Sequence, residues 1–443
     1  MTLSLTHFGV CAHDSQATTA RIGLVVGRRR EDATCILQIL ETPTPSDGTT
    51  PIATIASVST RTPTSFRLEV PDSAARSVCA HARSVARILP GGIHIIGVFA
   101  FCDAQAFDLK ALATLLKQIN ASTVDPVDGD VIVHIDARRG TIRVLPSPSQ
   151  KPQTSYNVQN TDLLHELVEV RTTYRCCFLP DSMSRERESR GKTVVADVLQ
   201  GMITWEVKQR VNELRVAEKG QSLHNLVTSY VKRAGLDHVP LHLFSVDATP
   251  TPLAQDIQSL LDVQPMNISC RAFVFLTETV DDAHAELRRD IEVSLKARLE
   301  AMIDRASAPP SASSSTHPLL REVSSLDVPY RPCWPRRCFF DWRRGGGAFC
   351  HYVFRGDASK HEALEHIRHL VGPGVVDGRS WTCEERLPVD EACDIDDKED
   401  TEDHCEGRRE GRRGGSSVRE FLARCFLMVM GAVVCAVLAI LAM

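Results

Sequence analysis

Fifteen cysteines and sixteen histidines are the residues of this 443-residue chain with the most chemistry to offer. A structural zinc site draws thiolates and imidazoles from short pairs such as C-x2–4-C. No Cys-x-x-Cys occurs here. Cys338, Cys350, His351 and Cys383 come nearest to a metal cluster, yet their spacing fits no standard zinc site. An odd number of cysteines without a regular framework reads as free thiols, with Cys176–Cys177 adjacent and Cys333 and Cys338 five apart. A thiol protease needs Cys, His and Asp or Asn brought together by the fold. With so many Cys and His, chance pairs are certain and single out no triad. Phosphate chemistry has no better footing. Gly91–Gly92 and Gly345–Gly346–Gly347 are not phosphate loops, and Gly191–Lys192–Thr193 has Glu186 where a P-loop needs its first glycine. Asn120-Ala-Ser122 and Asn267-Ile-Ser269 fit the N-glycosylation pattern, which a cytosolic domain cannot use. Residues 336–347 mix arginines with aromatics, as RNA-binding surfaces do, but a loop or partner-binding edge is the preferred reading. The expectation is no cofactor, no metal, no nucleic acid and no small-molecule substrate.

The elements that must position these residues follow from periodicity. Residues 20–42 give two apolar runs around Arg28–Arg29–Arg30, a hairpin. Two strand-like runs lie in 53–70, and Pro71–Asp72–Ser73 opens a helix that stops at Pro90–Gly91–Gly92. IHIIGVFAF (93–101) is apolar except for His94, as a fully buried strand would be. An amphipathic helix (108–120) and a hairpin around Arg138–Arg139–Gly140 complete this region. Beyond a linker, residues 161–179 read as a strand or strand pair and 193–218 as one long helix. Residues 241–246 and 270–276 read as strands. A helix over 279–304 opens on Thr279 with Asp282 three residues on, like a capping box. Its predicted stripe is Leu287, Ile291, Leu295, Leu299 and Met302. Strand-like pieces VPYRPCW, RCFFDW and AFCHYVF and a helix HEALEHIRHLV come last. The fold class expected is α/β (α+β). The predicted divisions are a first α/β domain (1–145), a linker (146–160), a second α/β region (161–306), a linker (307–317), a small strand-rich region with a terminal helix (318–389), a charged disordered stalk (390–424) and a membrane helix (425–443).

The composition is that of a folded protein, with 43% hydrophobic and 24% charged residues and a net charge of −5. That excludes a collagen-like, wholly disordered or polytopic membrane protein, and the mild acidity argues against a nucleic-acid binder. A mean hydropathy of −0.12 hides an uneven chain. Cys425–Met443 is all apolar or Gly, nineteen residues without a charge. At ~1.5 Å per residue such a helix spans roughly 28 Å, near the thickness of a bilayer core. Arg413, Arg419 and Arg424 flank it on the side where cytoplasmic basic residues sit, and Cys425 falls at the interface. The N-terminus has no signal-peptide pattern. The expectation is a single-pass, tail-anchored protein with its bulk in the cytosol.

Several short blocks carry a family likeness. They are ARILPGGIHIIGVFAF (86–101), CRAFVFL (270–276), RRDIEVSLKARLEAM (288–302) and VPYRP (328–332), in this order. Together with the C-terminal span they resemble the odorant-response-abnormal protein four (Odr-four-like) family from about residue 20 to the end. The sharpest matches are Leu89, Pro90, Gly91 and Gly92; Gly97 and Phe99 with Val98 between them; Cys270 and Arg271; and Arg289 and Asp290. The resemblance implies a single-pass protein of the endoplasmic reticulum membrane that helps deliver G-protein-coupled receptors. It also implies an MPN-like first domain, similar to JAMM-type proteases, and pairing with the ubiquitin-fold-modifier protease at the same membrane.

The MPN likeness can be tested for chemistry. Metal-activated water needs its ligands, and the JAMM type takes a His-x-His just after a buried strand. The matching positions here are Ala100 and Cys102. His94 lies inside the strand with no partner two residues on, and reads as a packed histidine. The domain is therefore expected to be non-catalytic and to serve as an adaptor. Its expected partners are the modifier protease and membrane-receptor cargo. The alternatives are a membrane-tethered hydrolase of thiol or metal type and a generic vesicle-traffic tether.

Overall fold

A computed structural model describes residues 19–29, 34–44, 53–58, 65–103, 106–123, 131–146, 167–176, 194–234 and 238–244. It also describes 261–307 except 262 and 264, 317–342 except 323–324 and 327–329, 347–354 and 360–383. All of them belong to the unit Met1–Leu387. The predicted linkers, the stalk, the apolar run 425–443 and its flanking Arg413, Arg419, Arg424 and Cys425 lie outside the described residues. Among the described residues no helix is long and apolar enough to cross a membrane.

The chain is a mixed α/β protein. Strands β1 (Thr19–Arg29) and β2 (Thr34–Glu41) form the first hairpin, with β3 (Ala53–Val58) and β4 (Ser65–Glu69) after it. Helix α1 (Asp72–Ile88) leads to β5 (His94–Cys102), then α2 (Leu109–Ser122), β6 (Val131–Asp136) and β7 (Ile142–Pro146). The sheet order is β4-β3-β1-β5-β6-β7, with β2 also on β1. Only β5 and β6 run parallel within it. Their close approach explains Gly97, where a Cβ would stand 1.8 Å from the Val131 carbonyl oxygen.

The second group of elements begins with β8 (Leu167–Cys176). Helix α3 (Val195–Glu206) runs directly into a π-helical turn (Val207–Val211), followed by β9 (Arg215–Val216) and α4 (Leu223–Ala234). Strands β10 (Val239–Pro240), β11 (Leu243–Phe244) and β12 (Met266–Phe275) precede the long helix α5 (Val280–Ser307). A β10-β8-β12 sheet packs on α3 and α5 around Leu199, Ile203, Ile268, Val274, Leu287, Ile291 and Leu295, all essentially buried. Complete burial of one such side chain is worth about 1.5–3 kcal/mol. The Thr279–Asp282 cap is present: the Thr279 N–H donates to Asp282 at 2.9 Å, and the Asp282 N–H donates to the Thr279 hydroxyl at 3.2 Å. Glu292 and Lys296 pair at 2.6 Å on the more open side of the helix.

The last elements are β13 (Arg336–Trp342), β14 (Ala348–Val353), α6 (Lys360–Val371) and β15 (Val376–Cys383), with sheet order β14-β13-β15. They share a core with the first sheet. Phe340, Phe349, Ile367 and Leu370 join Ile22, Leu24, Val78, Val85, Val98, Leu112 and Leu116 in one buried cluster. The opposite face of the first sheet carries Val25, Ile36, Ile96, Phe99, Val131, Val133 and Ile135.

Three readings of the sequence differ from the structure. The helix expected over 193–218 ends as α-helix at Glu206 and widens into the π-turn. Tyr174 donates to the fully buried Glu206 at 2.5 Å and Arg210 at 2.8 Å, which ties this part of the helix to β8. Residues 328–334 contain Pro329 and Pro332, which cannot donate to a ladder. Of the segment's described residues, only Tyr330 makes a β-bridge, to Leu261. The stretch 336–347, offered for its arginines as a loop or partner-binding edge, is the central strand β13 as far as Trp342, as the strand-like reading of RCFFDW has it.

Candidate functional site: a buried charge junction at the Pro-Gly-Gly turn

Helix α1 ends because Pro90 forces the residue before it out of helical geometry; Leu89 is extended at φ −84° and ψ 129°. The turn then meets the free edge of β12. The Gly91 N–H donates to the Arg271 carbonyl at 3.0 Å, and the Phe273 N–H donates to the Gly91 carbonyl at 2.9 Å. Gly92 turns the chain at φ +78°, a left-handed conformation that costs a Cβ-bearing residue strain.

Asp290 of α5 closes the same edge. Its Oδ1 accepts from the Gly91 N–H at 3.0 Å and its Oδ2 from the Arg271 N–H at 3.0 Å. Each oxygen also accepts one arm of the Arg337 guanidinium, at 2.8 and 2.7 Å. Both side chains of this pair are 0% exposed. Arg337 lies 4.8 Å from the Phe339 ring centroid, and Arg271 lies 4.0 Å from the same ring while pairing with Glu169 at 3.0 Å. Burial works against the Arg337 charge, but the adjacent Asp290 carboxylate prevails and raises its pKa further.

A second layer sits beside the first. Arg28, at the far end of β1, donates to Glu278 at 2.9 Å, to Glu286 at 3.1 Å and to the Gly92 carbonyl at 3.0 Å. Glu286 also accepts from the Gly92 N–H at 2.9 Å, and Arg289 meets the His94 imidazole. Burial alone would raise the Glu286 carboxyl. The His94 hydrogen bond and the Arg28 and Arg289 charges outweigh it and bring it to about 2. Burial lowers the His94 pKa, so His94 is a packed, neutral imidazole at pH 7.

Gly91, Gly92, Arg271, Arg289 and Asp290 thus converge from three distant stretches of sequence. Leu89 and Pro90 are buried at the same turn. Gly97 lies further along β5, Phe99 faces the other side of the sheet, and Cys270 is buried in the second core. Arg28, Glu278, Glu286 and Arg337 complete the junction and were not singled out from the sequence. Their types alone read as surface charge.

Chemically the junction is closed. Both Asp290 oxygens are fully engaged, so the carboxylate has no lone pair to spare as a base. A buried ion pair adds little net stability over apolar packing, but it demands one arrangement of its four segments. Its capacity is to fix register between β12, the turn, α5 and β13.

The positions tested for metal chemistry are close by in β5. Ala100 is fully buried. The Cys102 thiol is pushed up to about 12, first by burial and then by Asp103 and Asp136. His134 contacts the Cys102 carbonyl at 3.2 Å rather than the sulfur. The candidate cluster at Cys338, Cys350 and His351 is split: Cys350 and His351 are neighbours on β14 and face opposite sides. Among the described residues no three His, Cys, Asp or Glu side chains are grouped to hold a metal ion.

Residues 23–378 match the family described as ODR4-like, odorant response abnormal 4-like. The chain belongs to the ODR4-like family. The match spans the whole junction, from Arg28 to Arg337. No curated protein matches this ODR4-like chain. Among solved structures, the crystal structure of UfSP from C. elegans aligns at 10% identity with a TM-score of 0.38. That alignment covers 80% of this chain and 53% of the other, so the chain spans about half the length of that structure.

Proposed function

We propose that this chain is a non-catalytic adaptor, tail-anchored in the endoplasmic reticulum, that supports trafficking of G-protein-coupled receptors and holds a ubiquitin-fold-modifier protease at the membrane. Membership of the ODR4-like family over residues 23–378 carries the reading. The first region is proposed to be MPN-like and to have lost its metal, because Ala100 and a protonated Cys102 stand where two imidazoles would be needed. The anchor is proposed from the uncharged run Cys425–Met443 and its flanking arginines. The proposed domain divisions are those drawn from the sequence. The test is affinity purification of the tagged full-length protein from membranes, with mass spectrometry of what accompanies it. The expected result is an alkali-resistant membrane protein that recovers a stoichiometric modifier protease together with receptor cargo. A protein extracted by alkaline carbonate, or one that recovers neither class of partner, overturns the proposal.

A further inference from the structure

The first sheet ends in an open edge. Strand β7 is last in its order, and among the described residues no strand pairs with its outer side. The phase of that edge follows from the hairpin tip. The Asp136 N–H donates to the Thr141 carbonyl at 2.9 Å, and the ladder then runs unbroken from Ile135 with Ile142 to Val131 with Pro146. Alternation turns the backbone groups of Thr141, Arg143 and Leu145 toward β6. The N–H and C=O groups of Ile142 and Val144 therefore point away from the sheet. Pro146 has the same phase but no N–H, so the edge donates only from Ile142 and Val144. Asp136, 2% exposed, holds the tip in shape. Its Oδ1 accepts from the Arg138 N–H at 2.9 Å and the Arg139 N–H at 3.2 Å, and its carbonyl accepts from the Gly140 N–H at 2.8 Å. An edge fixed in this way loses little entropy when a strand is added to it.

The side chains alternate as well. Ile142 and Val144 are partly buried on the Phe99 side of the sheet, while Arg143 is exposed on the side that Leu145 shares. Arg138 at the tip is taken by Asp103 at 2.5 Å. Arg139 and Arg143 are exposed, and among the described residues no carboxylate pairs with either. The edge thus presents an apolar side chain, an open cation and an apolar side chain in succession.

We propose that β7 is a docking edge for an extended acidic segment of a partner protein, which adds as an antiparallel strand. Main-chain hydrogen bonds at Ile142 and Val144 supply the pairing, and the alternate side chains supply the selection. The segment carries a carboxylate opposite Arg143, between two apolar residues opposite Ile142 and Val144. A second copy of this chain fits poorly. Antiparallel overlap of two β7 strands, Ile142 against Val144, sets Arg143 directly opposite its copy, and like charges so placed repel. The proposal stands on this edge alone and needs neither the membrane anchor nor the partners named above.

The probe is the peptide TTVEVTT, titrated to millimolar concentration into the full-length protein in detergent. The readout is hydrogen exchange of fragments spanning residues 141–145, followed by mass spectrometry. Without peptide the Ile142 and Val144 amides exchange fast, as amides outside a ladder do. The expected result is protection of these amides that saturates with peptide. Arg143→Glu should raise the half-saturating concentration about tenfold and should prefer the charge-reversed peptide TTVKVTT. N-methylation of both peptide valines should abolish protection. N-methylation of the glutamate, whose backbone faces away from β7, should leave it. Arg143 is exposed, so its variant should keep the wild-type unfolding midpoint, and the N-methylated peptides leave the protein itself unaltered. No protection at millimolar peptide overturns the proposal, as do equal responses of wild type and Arg143→Glu, or of the two N-methylated peptides. Protection that exists without peptide and disappears on dilution of the protein assigns the edge to a second copy and overturns it too.

Discussion

Replacing Asp290 by Asn keeps the size and shape of the side chain and removes its charge. The buried Arg337 cation then faces a neutral amide, and one of the two oxygens becomes an N–H2 group that repels the donors now bound there. Those donors are an Arg337 arm at 2.7 or 2.8 Å and a backbone N–H at 3.0 Å. Both members of the pair are 0% exposed, so water does not screen the loss. Breaking one side of such a pair costs about 3–5 kcal/mol, a large part of the 5–15 kcal/mol that holds a typical domain. The control is Asp304→Asn on the same helix. Asp304 pairs with Arg87 at 3.1 Å but is 67% exposed, and such pairs contribute below about 1 kcal/mol. The assay is urea unfolding of the detergent-solubilised full-length protein followed by tryptophan fluorescence, with Trp334 and Trp342 as buried reporters. The Asp290→Asn midpoint should fall well below that of Asp304→Asn at unchanged slope. Asp290→Leu with Arg337→Met should recover most of the loss. It should remain about 1–3 kcal/mol short, because the Arg271 N–H stays without its acceptor. Equal midpoints for Asp290→Asn and Asp304→Asn would refute the claim that the junction fixes the fold.

Other outcomes follow from the same geometry. His351 stacks on His366 with centroids 4.7 Å apart, and burial, then the His366 charge, bring its pKa from 6.5 to about 4. A lowered folded-state value means the unfolded chain takes the proton first. Stability from this group is therefore complete above pH 6.5 and is lost as the pH falls toward 4. By pH 5 the loss is about 2 kcal/mol, and His351→Phe should flatten the drop in unfolding midpoint between pH 7 and 5 by that amount. Gly97→Ala should destabilise by at least about 1–3 kcal/mol in the same urea assay, since its Cβ has only the Val131 carbonyl to push against. Tyr174→Phe removes the 2.5 Å donor to Glu206, whose other oxygen already has no partner, and should cost about 1–3 kcal/mol in thermal unfolding.

The legible parts of the sequence were those set by near neighbours. The β1–β2 hairpin, the stop at Pro90, the buried run of β5 and the Thr279–Asp282 cap each depend on residues within a turn or a strand of one another. Helix α5 shows its stripe of Leu287, Ile291, Leu295 and Leu299 openly, because both helix faces obey one period. Helix α4 was overlooked, although Leu223, Leu226, Val227 and Tyr230 repeat at helical spacing after Ser222. Strand β15 has no such signal; VDGRSWTC neither alternates nor runs apolar. The π-turn was hidden because Val207, Val211 and Leu214 keep the spacing of an ordinary helix. The junction was half legible. Its glycines and Asp290 were named from family likeness, but Arg28 and Arg337 resemble surface charges until a carboxylate from another segment is placed beside them. No local pattern encodes a pairing across 47 residues, as between Asp290 and Arg337, or across 250, as between Arg28 and Glu278.

The shared core also sets a timetable for synthesis. The first sheet leaves the ribosome early, but Phe340, Phe349, Ile367 and Leu370, which cover part of it, are made roughly 200 or more residues after β6. At about 5–20 residues per second, that delay is on the order of 10–50 s. During it, the apolar faces of α1 and β5 stand without their last partners. A nascent chain of this protein thus depends on whatever shields those faces until α6 arrives. Truncation anywhere before residue 371 leaves the earliest-made core as the part that is unfinished.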